Sequence, residues 1–323
     1  MKTFLLPFCA FLIAVSLFAA EKGNGAETKK EYSPADFMRT TTPEGKKQPV
    51  SFDTAIAKFT DKKSGVEVDL ISAVHVGDKD YYEYLNKIFK KYDAVLYELV
   101  AAEEDLPGQK NDKIKKRTGK MGDKKTGNGQ TKAAEEGSSA LSAFQSGMGK
   151  ALSLDFQLDI IDYYAKNMIH ADLSPQEFAK RAAARGDLLL MLYRSIMISA
   201  KQTSDSAMME KELKMQGRLL GSLFSSDPSL SMKRLMAKQI TDQTDEWLGI
   251  IGSESAIITD RNAAALRVLR REIAGGKKKI AVFYGGAHLP NLAECLEKDF
   301  DMEYVKTDWV VAWDLTKNKS ARQ

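Results

Sequence analysis

Between Phe52 and Leu99 the chain switches repeatedly between two hydrophobic spacings. Phe52 to Thr60 and Val66 to Val74 are rich in β-branched and apolar residues and are separated by the polar run Asp61 to Gly65, which predicts a hairpin. The second strand stops at His75-Val76-Gly77. Tyr81, Leu85, Ile88, Phe89 and Tyr92 then recur at helical spacing behind Asp78, a good N-cap residue, so a helix should follow the histidine. Ala94 to Leu99 reads as a short strand buried on both faces, and the whole is a β-α-β unit. The pattern returns near the C-terminus: Ile280 to Tyr284 is a strand, Leu289, Leu292, Ala293 and Leu296 form a helical stripe, and Met302 to Trp313 is strand-like.

The stretch between these units reads as helical from about residue 139 to 275. Its apolar stripe begins Leu154, Leu158, Ile161, Ala165, Met168. Ser174-Pro175-Gln176-Glu177 is a capping box, Asp227-Pro228 marks a second helix start, and Gly275-Gly276 ends the last helix. The methionines here, among them Met191, Met197, Met232 and Met236, are expected as core filler. The predicted fold is therefore α/β, a central sheet from two duplicated β-α-β units with an inserted helical cap. Residues 103–137 break the pattern with Gly, Lys, Asn and Thr, and nine basic against two acidic residues lie between Lys110 and Lys132. They read as a disordered insert, with peripheral contact to an anionic envelope as the sharper alternative.

The N-terminus changes where the protein is expected to work. Lys2 followed by the apolar run Phe4 to Phe18 and then Ala19-Ala20 reads as a signal peptide over residues 1–20, or as a membrane anchor if it is not cleaved. The polar residues 21–47 read as a flexible tether to a domain spanning 48–323. An exported, periplasmic or secreted protein is the expectation. Cys9 lies inside the leader, so Cys295 alone remains and no intramolecular disulfide can form. The formal charge of +4 drops to +3 when Lys2 leaves, too weak a bias to imply nucleic acid as a partner.

Candidate chemistry sits where strands end. Both units share one order: buried strand, small residue, two further residues, histidine, helix. The chain holds only three histidines, and His75 and His288 occupy the two equivalent strand ends. In open α/β sheets the carboxyl ends of strands face a common crevice, where both could converge with Glu98, which also closes an apolar strand. Two imidazoles and a carboxylate suit a divalent metal such as Zn²⁺, Mn²⁺ or Co²⁺ with a position left open for water. Asn262 falls inside the stripe Ile258, Asn262, Leu266, Leu269, Ile273 and needs partners if buried, and its neighbour Arg261 could grip a substrate carboxylate or an oxyanion, or else an acidic side chain. His170 precedes the capping box and could serve as a further ligand or proton carrier. Gly77, Gly285 and Gly286 are the candidate turn glycines. No P-loop and no G-x-S-x-G elbow is present.

Five segments, Ala73-Val74-His75-Val76-Gly77, Tyr97-Glu98-Leu99, His170-Ala171-Asp172-Leu173-Ser174, Asp260-Arg261-Asn262 and Gly285-Gly286-Ala287-His288-Leu289-Pro290, resemble the TraB/GumN/Tiki superfamily in order and spacing. The resemblance spans most of the chain beyond the leader and extends distantly to erythromycin esterases and ChaN-like haem-binding proteins. It implies a metal held by His75, Glu98 and His288, with Arg261 beside it. Together with the reading of the residues, this makes Glu98, Arg261 and His170 the candidate catalytic residues and sets Arg261 and Asn262 against substrate. The leading expectation is an exported metal-dependent hydrolase acting on a peptide or other small amide or ester. An exported haem- or iron-binding protein without turnover, or a catalytically silent interaction domain, is the alternative. Ser72 stands where the family pattern has glycine.

Overall fold

Apolar residues on both faces of consecutive strands force a sheet covered by helices on both sides, and the computed structural model has that architecture. It describes chiefly residues 31–103, 154–204 and 224–316 without 253, with a few positions such as Leu106, Leu152 and parts of 210–222 besides. The leader and the basic insert lie outside the described residues. The compact unit begins at Tyr32.

In chain order the strands are β1 (Met38–Thr41), β2 (Ser51–Asp61), β3 (Val66–Ala73), β4 (Val76–Gly77), β5 (Ala94–Tyr97), β6 (Asp155–Phe156), β7 (Met168–His170), β8 (Lys279–Gly285) and β9 (Glu303–Asp314). The helices are α1 (Lys79–Phe89), α2 (Gln157–Ile160), α3 (Pro175–Arg185), α4 (Asp187–Ser204), α5 (Pro228–Ile251), α6 (Arg261–Ala274) and α7 (Leu289–Asp299). A five-residue π turn, Ala256–Asp260, leads into α6. The main sheet is mixed, in the order β1-β2-β3-β8-β5-β7. β9 runs antiparallel along the edge of β2 that β1 and β3 leave open. β3, β8, β5 and β7 are mutually parallel neighbours.

Strand alternation divides the core in two. One face turns Phe52, Ile56, Ile71, Val95, Tyr97 and Phe283 toward Tyr81, Tyr82, Leu85 and Phe89 of α1. The other turns Phe59, Val68, Leu70, Leu96, Val282 and Tyr284 toward Ala265 and Leu269 of α6 and Leu289, Leu292 and Leu296 of α7. Each strand-turn-helix unit thus covers a different face. β8 lies between β3 and β5, and the strand closing the second unit, β9, returns antiparallel on β2.

Three expectations need correction. The tether reading fails from Tyr32 onward: Tyr32 and Phe37 are buried, Tyr32 donates to Glu297 Oε1 at 2.6 Å, and Met38–Thr41 pairs with Thr54–Ser51. A few apolar side chains in a polar stretch give no period to read, and Ser51–Thr54 of β2, just beyond the span that pairs with β3, supplies the partner. The helical stripe predicted from Leu154 to Met168 is instead β6, paired with β4, the single turn α2, and β7 on the edge of β5. Asn167 holds that connection by donating to Phe89 O and Tyr92 O at 2.8 and 2.9 Å. The expected cap also ends sooner, because α6 belongs to the sheet's own covering layer.

The helix signals hold. Ser174 and Glu177 form the capping box, Asp227 caps α5 through Leu230 N, and Gly275 ends α6. Met232 and Met236 fill core, but Met197 is exposed beside Leu189, Leu192, Tyr193 and Ile196 on the outer face of α4. Among the described residues no helix is long and apolar enough to cross a membrane.

Candidate functional site

Four parallel strands bring their carboxyl ends to one edge. Ala73 pairs with Gly285, and Tyr97 pairs with both Phe283 and His170, so the residues just beyond them emerge side by side: His75 after β3, His288 after β8, Glu98 after β5, Asp172 after β7. Arg261, the first residue of α6, reaches the same edge from the helix layer. The structure therefore juxtaposes Glu98 and His288 as the strand pattern predicts, sets Arg261 beside them, and adds Asp172.

Arg261 is clamped by Asp172, donating from Nε to Oδ1 at 3.0 Å and from Nη2 to Oδ2 at 2.6 Å, and Nη2 also reaches Glu98 Oε1 at 2.7 Å. This planar fork is the geometry that guanidinium groups favour with carboxylates. The Asp172 side chain is fully buried, and the Arg261 and Glu98 side chains are 11% and 15% exposed, so solvent screens the cluster little. Glu98 Oε2 accepts from Gly285 N at 2.6 Å. A Cβ on Gly285 would stand 3.2 Å from that oxygen, and one on Gly286 would collide with Met38, so both glycines serve close approach. Gly77 similarly lies tight against Tyr81 and Tyr82.

His288 is buried, with its ring edge-on to Tyr284. Asn262 gives both N–H bonds away, to His288 O at 3.1 Å and Asn291 Oδ1 at 2.8 Å, which leaves its Oδ1 to face His288 Nδ1 at 2.8 Å. An acceptor there requires the proton on Nδ1, so Nε2 keeps its lone pair. That nitrogen faces Arg261 Nη1 at 3.5 Å and Glu98 Oε1 at 3.7 Å. Desolvation depresses the imidazole pKa below the ordinary histidine value, and the Arg261 charge adds to this against the opposing pull of Glu98. Burial alone would raise the Glu98 carboxyl, but the neighbouring His288 and Arg261 and the Gly285 N–H outweigh it and bring it down to about 2. At neutral pH the Glu98 carboxyl is thus ionised and the His288 imidazole neutral, beside the Arg261 guanidinium.

The other two histidines differ. His75 is exposed and its ring has no hydrogen-bond partner among the described residues, although it lies close enough to act electrostatically on Glu98 and His288. His170 ends β7, and its Nε2 bonds Leu99 O at 2.6 Å, which fastens the chain just beyond Glu98. Ser72 carries a buried hydroxyl with no hydrogen-bond partner among the described residues.

The expected metal can be tested against this donor set. Arg261 holds the space between Glu98 Oε1 and His288 Nε2, both Glu98 oxygens already accept hydrogen bonds, and among the described residues no three His, Cys, Asp or Glu side chains are grouped to hold an ion. In this arrangement a guanidinium supplies the positive charge where the metal was expected, and the residues do not fit a three-ligand site. Asp172 was missed although it carries the same signal as Glu98, an acid set between apolar residues just past a strand, because its segment has no strand-like period in sequence. No protein-family model and no curated protein matches this chain.

Proposed function

We propose that this crevice is the active site of an exported hydrolase that cleaves an amide or ester bond of a peptide or other small acyl compound, with His288 as general base. The observation that carries the reading is the buried, neutral His288, whose tautomer is set by Asn262 and whose Nε2 lone pair faces a fixed Arg261–Glu98 pair. Water against Nε2 gives up a proton to it as the water oxygen bonds to the acyl carbon. Arg261 faces the oxygen that becomes negative, and Glu98 offsets the imidazolium charge. When the carbon–nitrogen or carbon–oxygen bond breaks, Nε2 returns the proton to the leaving atom. The resemblance to the TraB/GumN/Tiki superfamily agrees with hydrolysis, and the metal it implies enters no step here.

Turnover of chromogenic anilides and esters by the purified chain tests the reading. His288→Ala should lower kcat/KM by about 10²- to 10⁴-fold, the usual range for a general base. Unchanged turnover in that variant, or none in the parent chain with or without added Zn²⁺, Mn²⁺ or Co²⁺, would sink it. Stoichiometric metal by elemental analysis would restore the metal-dependent form, and a Soret band without turnover would favour the haem-binding alternative.

A further inference from the structure

Beside the His75 turn lies a polar pair that the proposed chemistry does not use. Gln157, the first residue of α2, donates its backbone N–H to His75 O at 2.9 Å, and its side chain is buried with Nε2 bonded to Tyr163 OH at 2.7 Å. Tyr163 is buried as well. Its ring meets that of Tyr97, the residue before Glu98, edge-on at 4.9 Å, so the pair spans from the His75 turn to the strand that carries Glu98. Glu98 is also near enough to act on the Tyr163 hydroxyl electrostatically.

Among the described residues Gln157 Oε1 has no hydrogen-bond partner. A buried acceptor left so is uncommon and destabilising, which marks the atom as a place where a ligand can gain affinity. The amide orientation follows from the same accounting. Turned over, Gln157 would accept the Tyr163 hydroxyl and leave an NH₂ with two buried hydrogens unmatched, a worse state than one unmatched acceptor. Oε1 is therefore the free end, and Tyr163 is the positioning residue that keeps it so.

We infer that Gln157 Oε1 is a substrate subsite that accepts an amide N–H, making the crevice selective for peptides and other amides over esters. The inference rests on the proposed reading of the crevice as a substrate site, but it concerns recognition and not turnover. An amide brings the donor that Oε1 lacks. The matching ester brings an oxygen, and two acceptors then face each other. One unmatched buried group corresponds to about 10- to 100-fold in binding, so the preference should be of that size.

The test uses two probes identical except for N–H against O: N-methyl-3-phenylpropionamide and methyl 3-phenylpropionate. Binding is measured by calorimetry or NMR titration on the full chain carrying His288→Ala, which separates recognition from turnover. The amide should bind at least about 10-fold more tightly. Gln157→Met keeps length and removes the acceptor, so the preference should fall to near unity, and Tyr163→Phe should reduce it by letting the Gln157 amide turn. Melting curves of both variants check that each is folded. Equal binding of the probes, no binding of either, or a preference that survives in folded Gln157→Met overturns the subsite and assigns Oε1 to an ordered water. Loss of the hydrolase reading shows up separately, in the turnover of the parent chain.

Discussion

The two strand-turn-helix units start from nearly the same sequence plan and end with opposite histidines. β3 and β8 are parallel neighbours, and each is followed within a few residues by a histidine and a helix. Yet His288 is buried among Asn262, Arg261, Glu98 and Tyr284, whereas His75 is exposed and its ring unbonded among the described residues. The difference lies in what covers each turn. α6 places Arg261 and Asn262 directly over the second turn, and Gly285 lets Glu98 approach it. The first turn is crossed by the small β4–β6 ribbon, which engages backbone and leaves the ring free. A repeated local motif sets where a side chain emerges. Its ionisation and partners are set by the neighbours that the fold delivers.

The strongest way to break this contrast is to remove the cation that organises the second unit. Arg261→Leu leaves Glu98 and the fully buried Asp172 facing each other without compensation, and breaking a buried pair in this way typically costs about 3–5 kcal/mol. Urea unfolding should show that loss as a lower midpoint. A change under about 1 kcal/mol, the value of an exposed pair, would mean that the cluster is better hydrated than its burial indicates.

The contrast also predicts an acid dependence. Both perturbed groups of the second unit are depressed in the folded state, so each stabilises the fold above its ordinary pKa and loses that contribution as pH falls through the folded value. For His288 the loss begins below the ordinary histidine value of about 6.5. For Glu98 it begins near the ordinary glutamate value of about 4.3 and continues toward about 2. Stability should fall in two acid limbs amounting together to a few kcal/mol. His288→Ala should erase the upper limb and Glu98→Gln the lower. If both limbs persist in both variants, other carboxylates cause the acid unfolding.

Much of this was readable in sequence because it follows from short periodicities. The β2–β3 hairpin, the two turns ending on histidine, and Glu98 at a strand end all stand where the pattern put them. Asn262 in an apolar stripe needed partners and has them in His288 and Asn291. The unreadable parts depend on pairing across long separations. β1 and β7 are edge strands of four and three residues whose hydrogen bonds come from β2 and β5, so their own residues carry little signal. The same cause hid Asp172, which follows β7. Asp78 shows a subtler limit: it stands at the N-cap position, but its carboxylate receives Lys233 Nζ at 3.0 Å and Asp314 N at 2.6 Å from α5 and β9, partners no local reading could supply.

The smallest effect on stability should come from the first histidine, and that is what makes it informative. His75 contributes no side-chain hydrogen bond among the described residues and stands in solvent, so His75→Ala should move the unfolding free energy by no more than about 0.5 kcal/mol, as for other exposed positions. Its backbone carbonyl, which accepts from Gln157 N, survives the substitution, so the turn itself should not change. Any loss of turnover in this variant then reports on the ring alone, near a crevice whose buried members are intact. Because the exposed ring acts on Glu98 and His288 through charge, its removal should lower kcat/KM and shift the acid limb of the pH–rate profile. A variant with parental stability, rate and pH profile would make the first histidine a remnant of the repeat, and the second unit alone would be the site.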